Sequence, residues 1–286
     1  MRTVPPQLLL LGSIGSVQFG AAFAARLFDQ AGPGGIVFLR LGLSAIILLA
    51  LARPSVRGRS RSDVLAAIAF GLILGAMNWS FYEALDRLPL GIAVTIEFLG
   101  PLAVAVAGSR RAIDALWIVL AGGGVILLAL RGSHHGVTGL GIGLVLIAAA
   151  CWAAYILLSK RVGSAFPALD GLAIALGVGA LFTLPAGIVE GGSALGRPEV
   201  LAGGLAVALL SSLIPYSLEI IALRRLRPSV FGLLMSLEPA VAALAGVLVL
   251  SQPLSGVLVL AIAMVITAGV GTTLTSPDQT VPPVLD

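Results

Sequence analysis

Four carboxylates and one guanidinium interrupt long apolar runs in this chain of 286 residues: Glu83, Glu97, Glu219, Glu238 and Arg40. Ionisable groups at membrane depth are costly, and they ordinarily face a bundle interior or a water-filled path. Glu97 and Glu238 lie two turns or more inside their runs, which suits a functional role. Glu83 and Glu219 sit nearer run ends, where a structural role at an interface competes. A carboxylate in such a place can hold an ammonium group or a proton. Arg40 can neutralise one of these acids or receive a carboxylate. Asn78 and Tyr82 are spaced i, i+4 and share a helix face, and Trp152 and Tyr155 are spaced i, i+3. Tyr216 follows Pro215 and precedes Glu219 by about one turn, and Gln18 interrupts the first run. Buried amides serve either a site or the packing of one helix on another. Tyr and Trp near helix ends also suit interfacial belts.

Two prolines stand close to the deepest acids, in Glu97-Phe-Leu-Gly-Pro101 and in Glu238-Pro239. A proline inside a helix removes one backbone hydrogen bond and frees a carbonyl one turn earlier. In a membrane that carbonyl needs a partner. Breaks at matching places therefore point either to a binding site or to packing kinks. Other motifs carry less. Gly122-Gly123-Gly124 lies within an apolar run and reads as a packing face, and His134-His135 reads as a solvated loop. The single cysteine, Cys151, excludes a thiolate metal site. There is no phosphate-binding G-x-x-x-x-G-K-[ST] and no H-E-x-x-H, so neither a metal nor a cofactor is expected, and the chain does not read as an enzyme.

The elements that position these groups follow from composition. The chain is 58% hydrophobic and only 10% charged, against about 25% charged in soluble domains. That excludes a soluble enzyme and a disordered chain as first readings. A net charge of +4 dispersed in short clusters gives no nucleic-acid surface. Crossing a bilayer takes about 20 helical residues. Ten apolar runs fit, at about 7–27, 34–51, 64–84, 90–108, 113–130, 139–158, 169–189, 200–222, 229–249 and 254–274. The side of the N-terminus then holds twelve cations: Arg2, Arg53, Arg57, Arg59, Arg61, Arg110, Arg111, Lys160, Arg161, Arg224, Arg225 and Arg227. The other side holds four: Arg26, Arg87, Arg131 and Arg197. This asymmetry makes the N-terminal side cytoplasmic, with both termini inside. Residues 275–286 read as a disordered cytoplasmic tail.

The chain also matches itself at an offset of 138. Ala84-Leu85-x-Arg87-Leu88 aligns with Ala222-Leu223-x-Arg225-Leu226, Leu99-x-Pro101 with Leu237-x-Pro239, and Ala105, Ala107 and Gly108 with Ala243, Ala245 and Gly246. Two halves of five helices follow, residues 1–130 and 139–274. Because five is odd, the halves must lie inverted in the membrane. Such repeats are typical of secondary transporters, with the substrate held near the midplane.

Several stretches resemble the drug/metabolite transporter superfamily of EamA type, and most of all its threonine/homoserine exporter branch. They are Gly75–Asn78, Pro89–Pro101, Ser109–Arg111, Cys151–Tyr155, Pro215–Glu219 and Phe231–Pro239, together with Arg40. The resemblance runs from the second span to the ninth. It implies ten helices in two inverted five-helix repeats, and proton-coupled export of a small amino acid or related metabolite across the bacterial cytoplasmic membrane. Many members carry Gly-Glu before the last span, where this chain has Ser251-Gln252. The candidate substrate-binding residues are Asn78, Tyr82, Glu97, Trp152, Tyr155, Tyr216 and Glu238. Arg40, Glu97 and Glu219 are the candidates for charge pairing or coupling, with helix breaks at Pro101 and Pro239. Expected partners are the small-molecule substrate, protons and membrane lipid, in a monomer or a homodimer. A passive facilitator and an integral-membrane lipid-modifying enzyme remain the alternatives.

The charge asymmetry sets a test of orientation. Cysteines introduced at residues 133–136 should react with an impermeant thiol reagent only from outside the cell. Reaction from the cytoplasmic side alone would reverse the topology.

Overall fold

The computed structural model describes residues 4–107, 113–131, 137–167, 169–223 and 225–275. The His134-His135 loop, Arg110-Arg111 and the tail beyond Thr275 lie outside them. Thirteen α-helices are present among the described residues: α1 (Pro6–Ala25), α2 (Phe28–Ala52), α3 (Arg61–Leu85), α4 (Leu90–Glu97), α5 (Leu99–Ala107), α6 (Ile113–Arg131), α7 (Gly139–Ala165), α8 (Asp170–Ala186), α9 (Pro198–Ala208), α10 (Ile214–Leu223), α11 (Pro228–Met235), α12 (Glu238–Leu250) and α13 (Gly256–Thr275). They make ten helical segments long and apolar enough to cross a membrane. The protein is an all-α, multi-pass membrane protein.

Local sequence sets the helix ends. Ser60 caps α3 by accepting the Asp63 N–H at 3.1 Å, and Thr138 caps α7 by accepting that of Gly141 at 3.1 Å. Three spans run past their apolar limits. The sixth continues through Lys160 and Arg161 to Ala165. The second starts at Phe28, because Gly32 (φ 66°) with Pro33 kinks the helix without ending it. The seventh continues past Pro185 through a π-helical turn, Gly187–Gly191, and a 3₁₀ turn, Gly192–Gly196.

Two spans are broken in matching places. The fourth divides at Phe98 (φ −62°, ψ −14°) and the ninth at Ser236 (φ −62°, ψ −12°), positions related by the 138-residue offset. The eight residues of α4 before the first break and the eight of α11 before the second correspond at the same offset. Pro101 and Pro239 each lie three residues after the break. The eighth span has its own interruption, a π-helical segment at Leu209–Leu213 just before Pro215. It was not foreseen in the sequence.

Small residues let these helices approach closely. α3 packs against α7 and α8, α2 against α8, α1 against α10 and α12, α4 against α12, and α6 against α13. Gly75 faces Gly179 where α3 crosses α8, and a Cβ there would sit 3.0 Å from the Gly179 Cα. Gly100 lies so close to α7 that an added Cβ would overlap the Ala149 carbonyl oxygen, a backbone atom that cannot turn aside.

That contact yields a prediction with an internal control. Gly100→Ala should destabilise the protein by about 1–3 kcal/mol, the usual cost of overpacking, and lower its melting temperature in detergent. Gly122→Ala, where a Cβ meets nothing within 4 Å, should leave the melting temperature unchanged or slightly raised. Equal behaviour of the two variants would contradict the close α5–α7 packing.

Candidate functional site

Pro215 has no N–H to give to the carbonyl of Ser211, four residues earlier. The π-helical segment lies across this gap, and its carbonyls find partners on other helices. Arg40 of α2, only 8% exposed, donates from one terminal nitrogen to the Ser211 carbonyl oxygen at 2.8 Å. Its Nε donates to Ser212 Oγ at 3.3 Å, and its other terminal nitrogen to the Tyr82 hydroxyl at 3.3 Å. The guanidinium also lies 5.5 Å from the centre of the Tyr82 ring, in cation–π range. From α1, Ser16 donates to the Leu210 carbonyl at 2.6 Å, and Ser13 to the Pro215 carbonyl at 3.3 Å and to Glu219 Oε1 at 2.7 Å.

The sequence left Arg40 two roles, neutralising an acid or receiving a carboxylate. Among the described residues no carboxylate oxygen lies within 4.0 Å of its nitrogens; the ion pairs join Arg87 to Glu83 and Asp86. The charge rests instead on neutral acceptors and an aromatic face. Glu97 stands within electrostatic reach of Arg40 and of Glu238, and Glu238 within reach of Glu219. Glu97 and Glu238 are buried, at 9% and 7% exposure. Tyr216 lies near Arg40 and Glu219 and interacts with Tyr155. One cation, three acids and three phenols, contributed by α2, α3, α4, α7, α10 and α12, thus meet inside the bundle.

The other candidates are placed as follows. Asn78 is buried one turn before Tyr82, and its Nδ2 donates to the Leu74 carbonyl of its own helix at 2.8 Å. Tyr155 stacks on Phe70 with ring centres 4.8 Å apart. Trp152 meets Phe98, at the α4–α5 break, edge to face at 6.3 Å. Glu83 stands apart from the cluster, held by Arg87 at 2.7 Å. Gln18 Oε1 and Ser211 Oγ are buried without a hydrogen-bond partner among the described residues. Ser13, Ser211 and Ser212 went unrecognised in the sequence. The available signal was Pro215, whose missing N–H marks the Ser211 carbonyl as needing a donor. Among the described residues no group of three or more His, Cys, Asp or Glu side chains lies close enough together to hold a metal ion.

Residues 139–274 match the EamA-like transporter family. The threonine/homoserine exporter RhtA of Salmonella typhimurium (strain LT2) is 44% identical over 274 residues, covering 94% of this chain and 92% of its own. RhtA of Escherichia coli (strain K12) is 43% identical over 282 residues, covering 96% and 94%. A solved crystal structure shares the fold with a TM-score of 0.63 at 19% identity, over 93% of this chain and 96% of its own.

The seat of Arg40 makes a stability prediction. Arg40→Ala leaves the buried Ser211 carbonyl without a donor and should cost about 1–3 kcal/mol, seen as a lower melting temperature in detergent. Tyr82→Phe keeps the ring face and removes one long hydrogen bond, so it should cost about 1 kcal/mol or less. A larger loss from Tyr82→Phe than from Arg40→Ala would show that the π-helical carbonyl is not the anchor.

Proposed function

The chain belongs to the EamA-like transporter family, and from that premise we propose that it exports a small amino acid, threonine- or homoserine-like, across the cytoplasmic membrane. Its likeness to exporters along nearly the whole chain supports the direction and the substrate class. The observation that carries the mechanism is the grouping of buried Arg40, Glu97 and Glu238 with half-buried Glu219. A zwitterion needs an anion for its ammonium group and donors for its carboxylate, and this grouping offers both. Glu97 or Glu238 takes the ammonium. Arg40, with N–H groups beyond the three already engaged, takes the carboxylate beside Tyr82 and Tyr216. Tyr155, Asn78 and Trp152 shape the surrounding wall.

In this reading the protein is a secondary active carrier driven by the proton gradient. Residues 1–130 and 139–274 form two inverted five-helix repeats that rock about the site and open it alternately to either side. The common offset of the breaks at Phe98 and Ser236 supports that division. Glu97 is the coupling group. It adjoins the α4–α5 break and feels both Arg40 and Glu238, so a proton and a substrate ammonium compete for one carboxylate. With both termini cytoplasmic, substrate loads from inside and a proton enters from outside.

Efflux of labelled threonine from vesicles, with and without a pH gradient, tests the whole reading. Wild type should move substrate against its own gradient only when protons drive it; a passive facilitator would equilibrate and stop. Glu97→Gln keeps the shape and one acceptor, so it should fold, bind substrate and exchange it between equal pools. It should lose gradient-driven export by about tenfold or more, the effect of about 1.4 kcal/mol. Undiminished driven export would remove Glu97 from the coupling step and leave Glu238 or Glu219 in its place.

A further inference from the structure

Three side chains outside the central cluster tie residues 1–130 to residues 139–274. Arg26, just past the end of α1, donates from Nε to the Val249 carbonyl oxygen at 2.8 Å, and from a terminal nitrogen to the same oxygen. Glu190, in the π-helical turn after α8, accepts the Gly34 N–H at 2.6 Å, just beyond the Gly32-Pro33 kink of α2. Gln252, between α12 and α13, accepts the N–H of Leu90, the first residue of α4, at 3.0 Å. With ten crossings counted from the N-terminus, all three bonds fall on the side opposite that terminus. There they join the ends of the first and ninth spans, the second and seventh, and the fourth to the loop before the tenth.

The three bonds share a chemistry. Each engages a backbone group at or near a helix end or break, where N–H and C=O groups have no partner within their own helix. Each can therefore be exchanged for water without unwinding a helix. Arg26 and Glu190 are exposed and Gln252 is half-buried, so water can reach them. The seats are nonetheless built to fit. A Cβ on Gly34 would come 2.6 Å from Glu190 Oε1, and one on Gly246 would come 2.5 Å from Gln252 Oε1. The Gln252 backbone N–H is itself fixed on the Gly246 carbonyl at 3.1 Å. Behind Glu190 stand Glu83 and Arg87 at the end of α3. On the N-terminal side, among the described residues, the halves meet through a longer bond between neutral groups, from Trp117 Nε1 to Thr275 Oγ1 at 3.3 Å, and through the Arg59 guanidinium 5.3 Å from the centre of the Phe166 ring.

We propose that Arg26, Glu190 and Gln252 form the latch of the gate opposite the N-terminus, holding that side shut while the site faces the other way. Release of substrate on that side then requires all three bonds to pass to water. The proposal rests on the alternating-access reading, and its test needs no substrate. Cys151, the single cysteine, is half-buried on the Tyr155 face of α7 and feels Glu97, so it reports access to the centre. In oriented vesicles, an impermeant maleimide is applied from either side to the full chain. The double variant Glu190→Ala with Gln252→Ala should raise Cys151 labelling from the latched side about threefold or more and lower it from the N-terminal side. Glu190→Gln keeps the acceptor for Gly34 and should label as wild type; Cys151→Ser should not label. Where the double variant yields no folded protein, Arg26→Ala carries the same expectation. Wild-type labelling in a folded latch variant, or Glu190→Gln labelling as Glu190→Ala does, would overturn the latch. Raised labelling in a protein that exports no amino acid would keep the latch and discard the substrate reading.

Discussion

A guanidinium that cannot leave the membrane interior organises the centre of this protein. Arg40 is charged whatever its surroundings, and an unpaired arginine at that depth costs several kcal/mol. A direct ion pair with Glu97 would tie up both charges. The fold instead supplies a carbonyl, a hydroxyl and a phenol, and leaves the acids at longer range. The carbonyl is available because Pro215 has no N–H to cover it. One proline thus accounts for the Arg40 seat and for the neighbouring interruption of the eighth span. The serines that α1 turns toward that segment belong to the same arrangement, because every polar backbone group in a membrane must find a partner.

The same rule explains why the broken spans converge on the site. An unbroken helix satisfies its own backbone and offers a substrate only side chains. At Phe98 and Ser236 the ladder is interrupted, and the acids Glu97 and Glu238 stand one and two residues from the breaks. Arg40, Glu97, Glu238 and Glu219, each within electrostatic reach of the next, form a set whose balance would change with each proton or ammonium group that enters. Such a set suits competition between a proton and a zwitterion. A rigid ion pair would resist it.

The spans and the paired breaks were legible in the sequence because they are local. Run length and proline position report them directly, and the structure moves most span ends by only a few residues. The exceptions were the start of the second span, where Gly32-Pro33 reads as a terminator and proves to be a kink, and the ends of the sixth and seventh spans, which run on to Ala165 and Gly196. The membership of the cluster was legible in outline, because an ionisable residue in an apolar run has few places to go. The partners of Arg40 were not. Ser211 and Ser212 are ordinary residues in a helical stretch, and their role depends on α2 lying beside the π-helical segment, 171 and 172 residues away. Glu190 was hidden for a similar reason: the seventh span seemed to end at residue 189, and a carboxylate just past a span end reads as solvated.

Ser251-Gln252 shows how a departure from a family pattern can be read physically. Ser251 takes the left-handed conformation (φ 54°) that glycine adopts without cost. Gln252 then offers an amide oxygen to α4, where a glutamate would offer a carboxylate oxygen. Both accept from the Leu90 N–H, but a carboxylate would add a charge that favours the helix N-terminus more strongly. A neutral cap holds α4 less tightly than a charged one and is more readily surrendered to water. Glu190 makes the same kind of contact on α2 with a carboxyl oxygen, with the Arg87–Glu83 pair nearby.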